Sequence, residues 1–423
     1  MIRRKGKTTR KLLSIKDRNL RAAKIIFYIF QFIVLSLSFA TNIKEANLSS
    51  YIMILGATVV SNILIEKILK EDLTLILIAN TLFTIGAAEV YRLDPALGNK
   101  HLKFYLIGLA LFFIVYILLK VLDKYIDKWL IVYFAVAFIL FLITQIKGQW
   151  IGGAKNWISI GNMTIQPSEF IKIPFVFFIA SFYANYGKYL EKYKLPGRLI
   201  MTIGTYIFIG FFFLQRELGT AVIFFGTMIL TQFVYEKDFK LISINTLLMI
   251  VGLFVAYKVM SHIQVRINVW KDPFKDAGGE GYQIVQSLIA IASGGLFGTG
   301  IGNGHPDLVP VAESDFIFVA LVEEMGVFMG IAVLMLFLLL VYKGMQTGFR
   351  QENKFLSVLA FTVSTLIAIQ TLLIVAGIMK IIPLTGVTLP FVSAGGSSML
   401  AGFILLACLQ YAQKERKEYE NRK

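Results

Sequence analysis

The chain has 423 residues, of which 57% are hydrophobic and 16% charged, against about a quarter charged in soluble domains. That balance excludes an ordinary soluble enzyme and indicates a polytopic membrane protein. The formal charge of +16 does not imply nucleic acid, because the basic residues are spread over successive loops, as topology signals and contacts to anionic membrane lipid are. A single cysteine, Cys408, forbids an intramolecular disulfide, and His101, His262 and His305 lie too far apart in sequence for zinc-type spacing. Any metal would therefore be a hard cation held by oxygen.

In chain order, apolar runs near the roughly 20 residues needed to cross a bilayer fall at about 24–43, 48–65, 73–90, 104–122, 129–146, 168–184, 199–214, 218–235, 241–258, 315–341, 355–379 and 397–412. They predict an all-α polytopic protein of about twelve transmembrane helices, flanked by basic tails at 1–24 and 414–423. The first run lacks a small-residue cleavage site and reads as an anchor rather than a cleavable signal. Ten Lys and Arg precede Ile25 and five follow Ala412. Loops after every second span carry more, which predicts that both termini are cytoplasmic.

Three outer segments stand out. Residues 147–167, KGQWIGGAKNWISIGNMTIQP, end at Pro167, and the Pro-Ser-Glu that begins there suits a helix start, with Ser168 near the cap and Glu169 in the first turn. The loop between spans nine and ten, about 259–314, far exceeds ordinary connections and is predicted to fold back as short helices. The third, 380–397 within KIIPLTGVTLPFVSAGGSS, places two prolines and three glycines between apolar blocks. This predicts non-helical backbone at membrane depth, tolerated only against protein or a water-filled cavity. The three segments point to one polar cavity opening outward.

Asp315, at the mouth of span ten, is the first charge to explain, because ionisable groups at membrane entry are expensive. A helix dipole there stabilises a carboxylate by roughly 0.3 to 1 kcal/mol, so Asp315 either caps the helix or stays ionised to accept a proton. Glu323 and Glu324, two turns deeper, read as structural partners or protonated acids. Glu169 and Lys172, spaced i,i+3, pair on one helix face or face the cavity. Lys155, Arg216 and Lys380 face outward, where cations can stabilise a phosphoryl leaving group. The alternatives are a solvated turn for Arg216, with Glu217 beside it, and a snorkelling lysine for Lys380. Trp150 and Trp157 flank Lys155 either as interfacial belt residues or as a platform for a lipid-linked sugar. The run Gly294 to Gly304, GGxxGxGxGxG, has no Walker lysine and no strand-turn-helix context, which excludes a nucleotide site.

Four blocks carry a family resemblance. WIGGAKNWISIGNMTIQPSEFIKI, RELGTA, VPVAESDFIFVALVEEMG and PLTGVTLPFVSAGGSS resemble, in order and over about residues 80–412, the conserved blocks of the RodA/FtsW/SpoVE group, the SEDS peptidoglycan glycosyltransferases. The resemblance implies a ten-helix core at 71–413 preceded by an extra helix pair at 25–70, and polymerisation of lipid II into β-1,4 glycan at the outer face of a bacterial plasma membrane. It makes Asp315 the catalytic residue, as a general base or as the ligand of a divalent cation, Mn²⁺ or Mg²⁺. The substrate-binding set implied around it is Lys155, Trp157, Glu169, Lys172, Arg216, Glu217, Lys380, Ser393 and Ser397. Lipid II and a class B penicillin-binding protein are the implied partners, in elongation, division or sporulation. A lipid II flippase or a non-catalytic scaffold are the alternatives. The sequence departs from the family at Glu217, Glu313 and Ala394, which stand where the blocks carry Asp, His and Tyr. Arg92-Leu93-Asp94-Pro95 resembles a clostridial and actinobacterial branch that carries such an N-terminal extension.

Overall fold

The structure, a computed structural model, describes the backbone at residues 2–41, 47–161, 163–193 and 195–422. Its helices are α1 (Ile2–Thr41), α2 (Leu48–Ile63), α3 (Thr74–Leu93), α4 (Pro95–Leu122), α5 (Leu130–Lys147), α6 (Pro167–Ala184), α7 (Tyr186–Tyr193), α8 (Leu195–Leu214), α9 (Leu218–Tyr235), α10 (Phe239–Val259), α11 (Ser261–Lys271), α12 (Tyr282–Gly294), α13 (Ile317–Arg350), α14 (Lys354–Ile378) and α15 (Gly396–Arg422). Among the described residues, eleven are long and apolar enough to cross a membrane, and Leu199–Leu214 is a shorter apolar helix. The expected runs fall on these helices; the end of the first, at 43, lies outside the described residues.

Local chemistry sets the helix ends. Asp94 is extended and its carboxylate accepts from the Ala96 and Leu97 amides, while Pro95 supplies a first helical residue that needs no donor. This turns α3 sharply into α4. Pro167 opens α6 in the same way, and Asn353 caps α14 through the Phe355 and Leu356 amides.

The tracts α3, α6, α14 and the membrane part of α15 are buried over most of their length, whereas α10 stands at the periphery with little of its surface covered. Because α3 is enclosed, it can carry polar side chains. Gln31 of α1 donates to Thr84, and Thr58 of α2 donates to Gln31. Asn80 donates to Ser61 and accepts from Tyr105, and Asn62 donates to Tyr28. Interhelical hydrogen bonds within membranes contribute on average about 0.6 kcal/mol each. The two bonds of this ladder that cross from the N-terminal pair to α3 therefore contribute about 1 kcal/mol.

One element is absent from the all-α expectation. Residues 149–165 form an antiparallel meander of β1 (Gln149–Ile151), β2 (Ala154–Ile160) and β3 (Met163–Ile165). Gly152 and Gly153, φ 58° and 82°, make the two-residue turn between the first two strands, a geometry that wants glycine. The long outer loop does fold back as helices, α11 and α12. Its glycine run wraps α13 where Gly326, φ 83°, breaks the helical backbone: a Cβ on Gly298 would overlap the Glu324 carbonyl, and one on Gly294 the Val322 carbonyl. Residues 379–395 are non-helical, with Val387, Leu389, Phe391 and Val392 buried against the helices. Gly86 of α3 makes room for them, since a Cβ there would overlap the Val392 carbonyl oxygen.

Candidate active site

Asp315 sits one residue before Phe316, the N-cap of α13, rather than in the first turn. No side chain caps that helix, so the carboxylate is not spent on capping. Its backbone is held from the other side of the site: the Ser393 hydroxyl donates to the Ser314 carbonyl at 2.7 Å, and the Ala394 amide donates to the Glu313 carbonyl at 2.9 Å. Ser393 also accepts from the Leu389 amide, so one hydroxyl fixes both the broken segment and the Asp315 loop.

Across from Asp315 lies Arg266 of α11, a residue that the sequence reading did not single out. Its Nη1 donates to the Leu384 and Thr385 carbonyls, both at 3.2 Å. Gly386, φ 68°, leaves the gap between the two charges: a Cβ there would lie 3.5 Å from Arg266 Nη2 and 3.6 Å from Asp315 Oδ2. Burial pushes the Asp315 carboxyl up to about 6, Arg266 and Ser314 draw it down, and Glu313 adds to the rise. The result is a carboxylate that ionises near neutral pH and faces a guanidinium.

The other expected residues fall into three groups. Arg216 is exposed, with φ 58°, and its guanidinium lies 4.9 Å from the Trp150 ring centre. It shares an electrostatic neighbourhood with Arg266, because His262 is held below its usual pKa by burial and then by these two arginines. Lys380, φ 57°, accepts the Trp270 indole N–H on its carbonyl, and its side chain helps line a cavity of about 160 Å³ with Arg266, Trp270, Glu280 and Gln283. Arg266 and Lys380 thus meet at one opening, with Glu280 as an acid on its wall.

Glu169, Lys172 and Glu217 form a buried polar layer behind this opening. Lys172 Nζ lies 2.6 Å from Glu169 and 2.8 Å from Gln370 Oε1, and Gln370 donates to the Thr388 carbonyl. Glu217 accepts from Gln166 and Thr220, and burial raises its pKa. Ser397 accepts from the Gln166 amide, joining the meander to α15. Lys155 caps α5 by donating to the Gln145 carbonyl at 2.6 Å, and Trp157 lines a separate small cavity against α4. Glu323 and Glu324 are structural: Glu323 accepts from the His305 amide, while Glu324 accepts from the Gly302 amide and pairs with Arg92.

Asp315 was legible as a carboxylate at the mouth of an apolar helix. Arg266 was not, because nothing in its spacing separates it from the other basic residues of the long loop. Among the described residues no group of three His, Cys, Asp or Glu side chains could hold a metal ion. The protein's own donors do not form a metal cage here.

The family described as "Cell cycle protein", which groups FtsW, RodA and SpoVE, matches residues 68–418. The chain belongs to the FtsW/RodA/SpoVE family. Within that family it is 37% identical over 273 residues to the peptidoglycan glycosyltransferase RodA of Mycobacterium tuberculosis, a match that covers 61% of this chain and 57% of that protein. The chain thus spans less than two thirds of that relative's length. It is 31% identical to the stage V sporulation protein E of Bacillus subtilis over 371 residues, covering 81% of this chain and 98% of the relative. Two solved structures share the FtsW/RodA/SpoVE fold with it. One belongs to a peptidoglycan synthase complex that coordinates polymerisation and crosslinking, with TM-score 0.67, 20% identity, and coverage of 82% of this chain and 98% of that one. The other is the rod shape determining protein RodA of Thermus thermophilus, with TM-score 0.58, 21% identity, and coverage of 82% and 97%. The family match begins at residue 68, after α1 and α2.

Proposed function

We propose that this multi-pass membrane protein is a peptidoglycan glycosyltransferase that extends β-1,4 glycan from lipid II at the outer face of a bacterial plasma membrane, with both termini in the cytoplasm. The observation that carries the reading is Asp315 facing Arg266 across Gly386, with Arg266 and Lys380 together lining one cavity. Asp315, once ionised, takes the proton of the acceptor sugar's 4-hydroxyl, whose oxygen attacks the donor's anomeric carbon from the face opposite the diphosphate. The bond to the α-linked diphosphate breaks as the new bond forms, giving the β product by inversion. Arg266 and Lys380 stabilise the charge that develops on the leaving group. A Brønsted base contributes about 10² to 10⁴-fold, and the remainder comes from holding two lipid-anchored substrates in line.

A divalent cation such as Mn²⁺ or Mg²⁺ would be held by Asp315 together with substrate oxygens, the usual magnesium pattern. No step here depends on it. A class B penicillin-binding protein that crosslinks the new glycan is the proposed partner, on the strength of the relatives' names and of the synthase complex that shares the fold. The test is purified protein with labelled lipid II, products being resolved by chain length. Glycan polymer from the wild type and a loss of about 10² to 10⁴-fold in Asp315→Asn is the expected result. Movement of lipid II across vesicles without polymer would replace this reading with transport.

A further inference from the structure

A cavity of about 100 Å³ lies beside residues 394–396, between the start of α4 and the meander. Lys100, His101, Phe104, Trp157, Thr164 and Ala394 line it. His101 is 3% exposed, its ring is stacked on Phe83, and its Nε2 has no hydrogen-bond partner. An orphaned polar atom at such burial is costly and points to an absent partner. Lys100, one residue earlier on α4, is exposed and brings a positive charge to the same rim. The aromatic rings of Phe104 and Trp157 supply the apolar walls.

Cation, imidazole and hydroxyl beside two aromatic walls recognise an anionic group carried on a partly apolar body. Size narrows the choice, because a cavity of roughly 150 Å³ is the kind that accepts a benzene ring. This smaller one takes a carboxylate and its neighbouring carbons, not a sugar ring. Its wall includes Ala394, whose amide donates to the Glu313 carbonyl two residues before Asp315, so the cavity and the Asp315 loop share a backbone contact. We propose that this cavity is a second substrate pocket, binding a free carboxylate of the peptide that a lipid-linked peptidoglycan precursor carries. The proposal rests on the glycosyltransferase reading.

The experiment compares the full chain's kinetics on lipid II bearing free peptide carboxylates with those on the same lipid II converted to carboxamides, in vesicles of fixed composition. The wild type is expected to favour the free acid about tenfold in kcat/KM, the difference lying in KM. Lys100→Gln, at an exposed position, is expected to bring that ratio near one with an unchanged melting temperature. Ala394→Tyr, which fills the cavity, is expected to do the same, and His101→Ala is read only if its melting temperature matches the wild type. Equal use of both substrates by the wild type, or a ratio unmoved by Lys100→Gln, overturns the pocket while leaving polymerisation intact. A Lys100→Gln effect that follows the vesicle's anionic lipid content instead of the peptide carboxylate also overturns it. Absence of polymer from either substrate would instead count against the function itself.

Discussion

Asp315 has to be ionised to accept a proton, and its surroundings set the pH at which that happens. With the carboxyl raised to about 6, polymerisation kcat/KM is expected to rise about tenfold per pH unit below that value and to level off above it. Arg266 lowers this pKa, so Arg266→Gln should move the rising limb to higher pH as well as slow turnover. A limb that stays in place would separate Arg266 from Asp315 electrostatically. Asp315→Asn keeps shape and removes the base, and a loss of about 10² to 10⁴-fold with an unchanged melting temperature is expected. These two residues also show the reach of sequence reading. A carboxylate before an apolar helix violates the solvent preference of its surroundings and is visible for that reason. Arg266 gains its meaning only when α11 folds back over residues 384–386, a contact more than a hundred positions away in the chain.

Among the elements, the broken segment at 379–395 was legible because proline and glycine between apolar blocks cannot continue a helix. The meander at 149–165 was not, although Gly152-Gly153 between runs rich in Trp and Ile is a hairpin signal; the membrane-helix pattern around it dominated. The broken segment depends on close backbone approach. Gly86→Ala would drive a methyl group into the Val392 carbonyl and is expected to destabilise the detergent-purified protein by about 1 to 3 kcal/mol, read as a lower melting temperature. Gly56→Ala, in α2 with nothing within 4 Å of the new methyl, is the control and should be neutral or stabilising by up to about 1 kcal/mol. Equal effects at both positions would mean that the segment is not packed on α3 as described.

For the whole molecule, the sidedness of the fold decides whether Asp315 can meet an extracellular substrate. In a Cys408→Ala background, Ser261→Cys at the exposed start of α11 is expected to react with an impermeant maleimide in intact cells, and Ser14→Cys is not. The reverse pattern would invert the protein and remove the proposed reaction. The twelve-run pattern made the helical architecture legible, and the charge bias gives the expected orientation. The pairing of helices was not legible, because which apolar faces meet is decided by shape.

The ladder between the N-terminal pair and α3 also makes the extension hard to lose. A helix facing lipid is restricted to apolar side chains, and Asn62, Ser61 and Gln31 of the N-terminal pair cover and bond to Asn80 and Thr84. Once such residues have accumulated on the inner helix, deleting the outer pair would leave polar groups bare in hydrocarbon. The pair is in this way held by the polar groups it covers, with no requirement that it touch the chemistry.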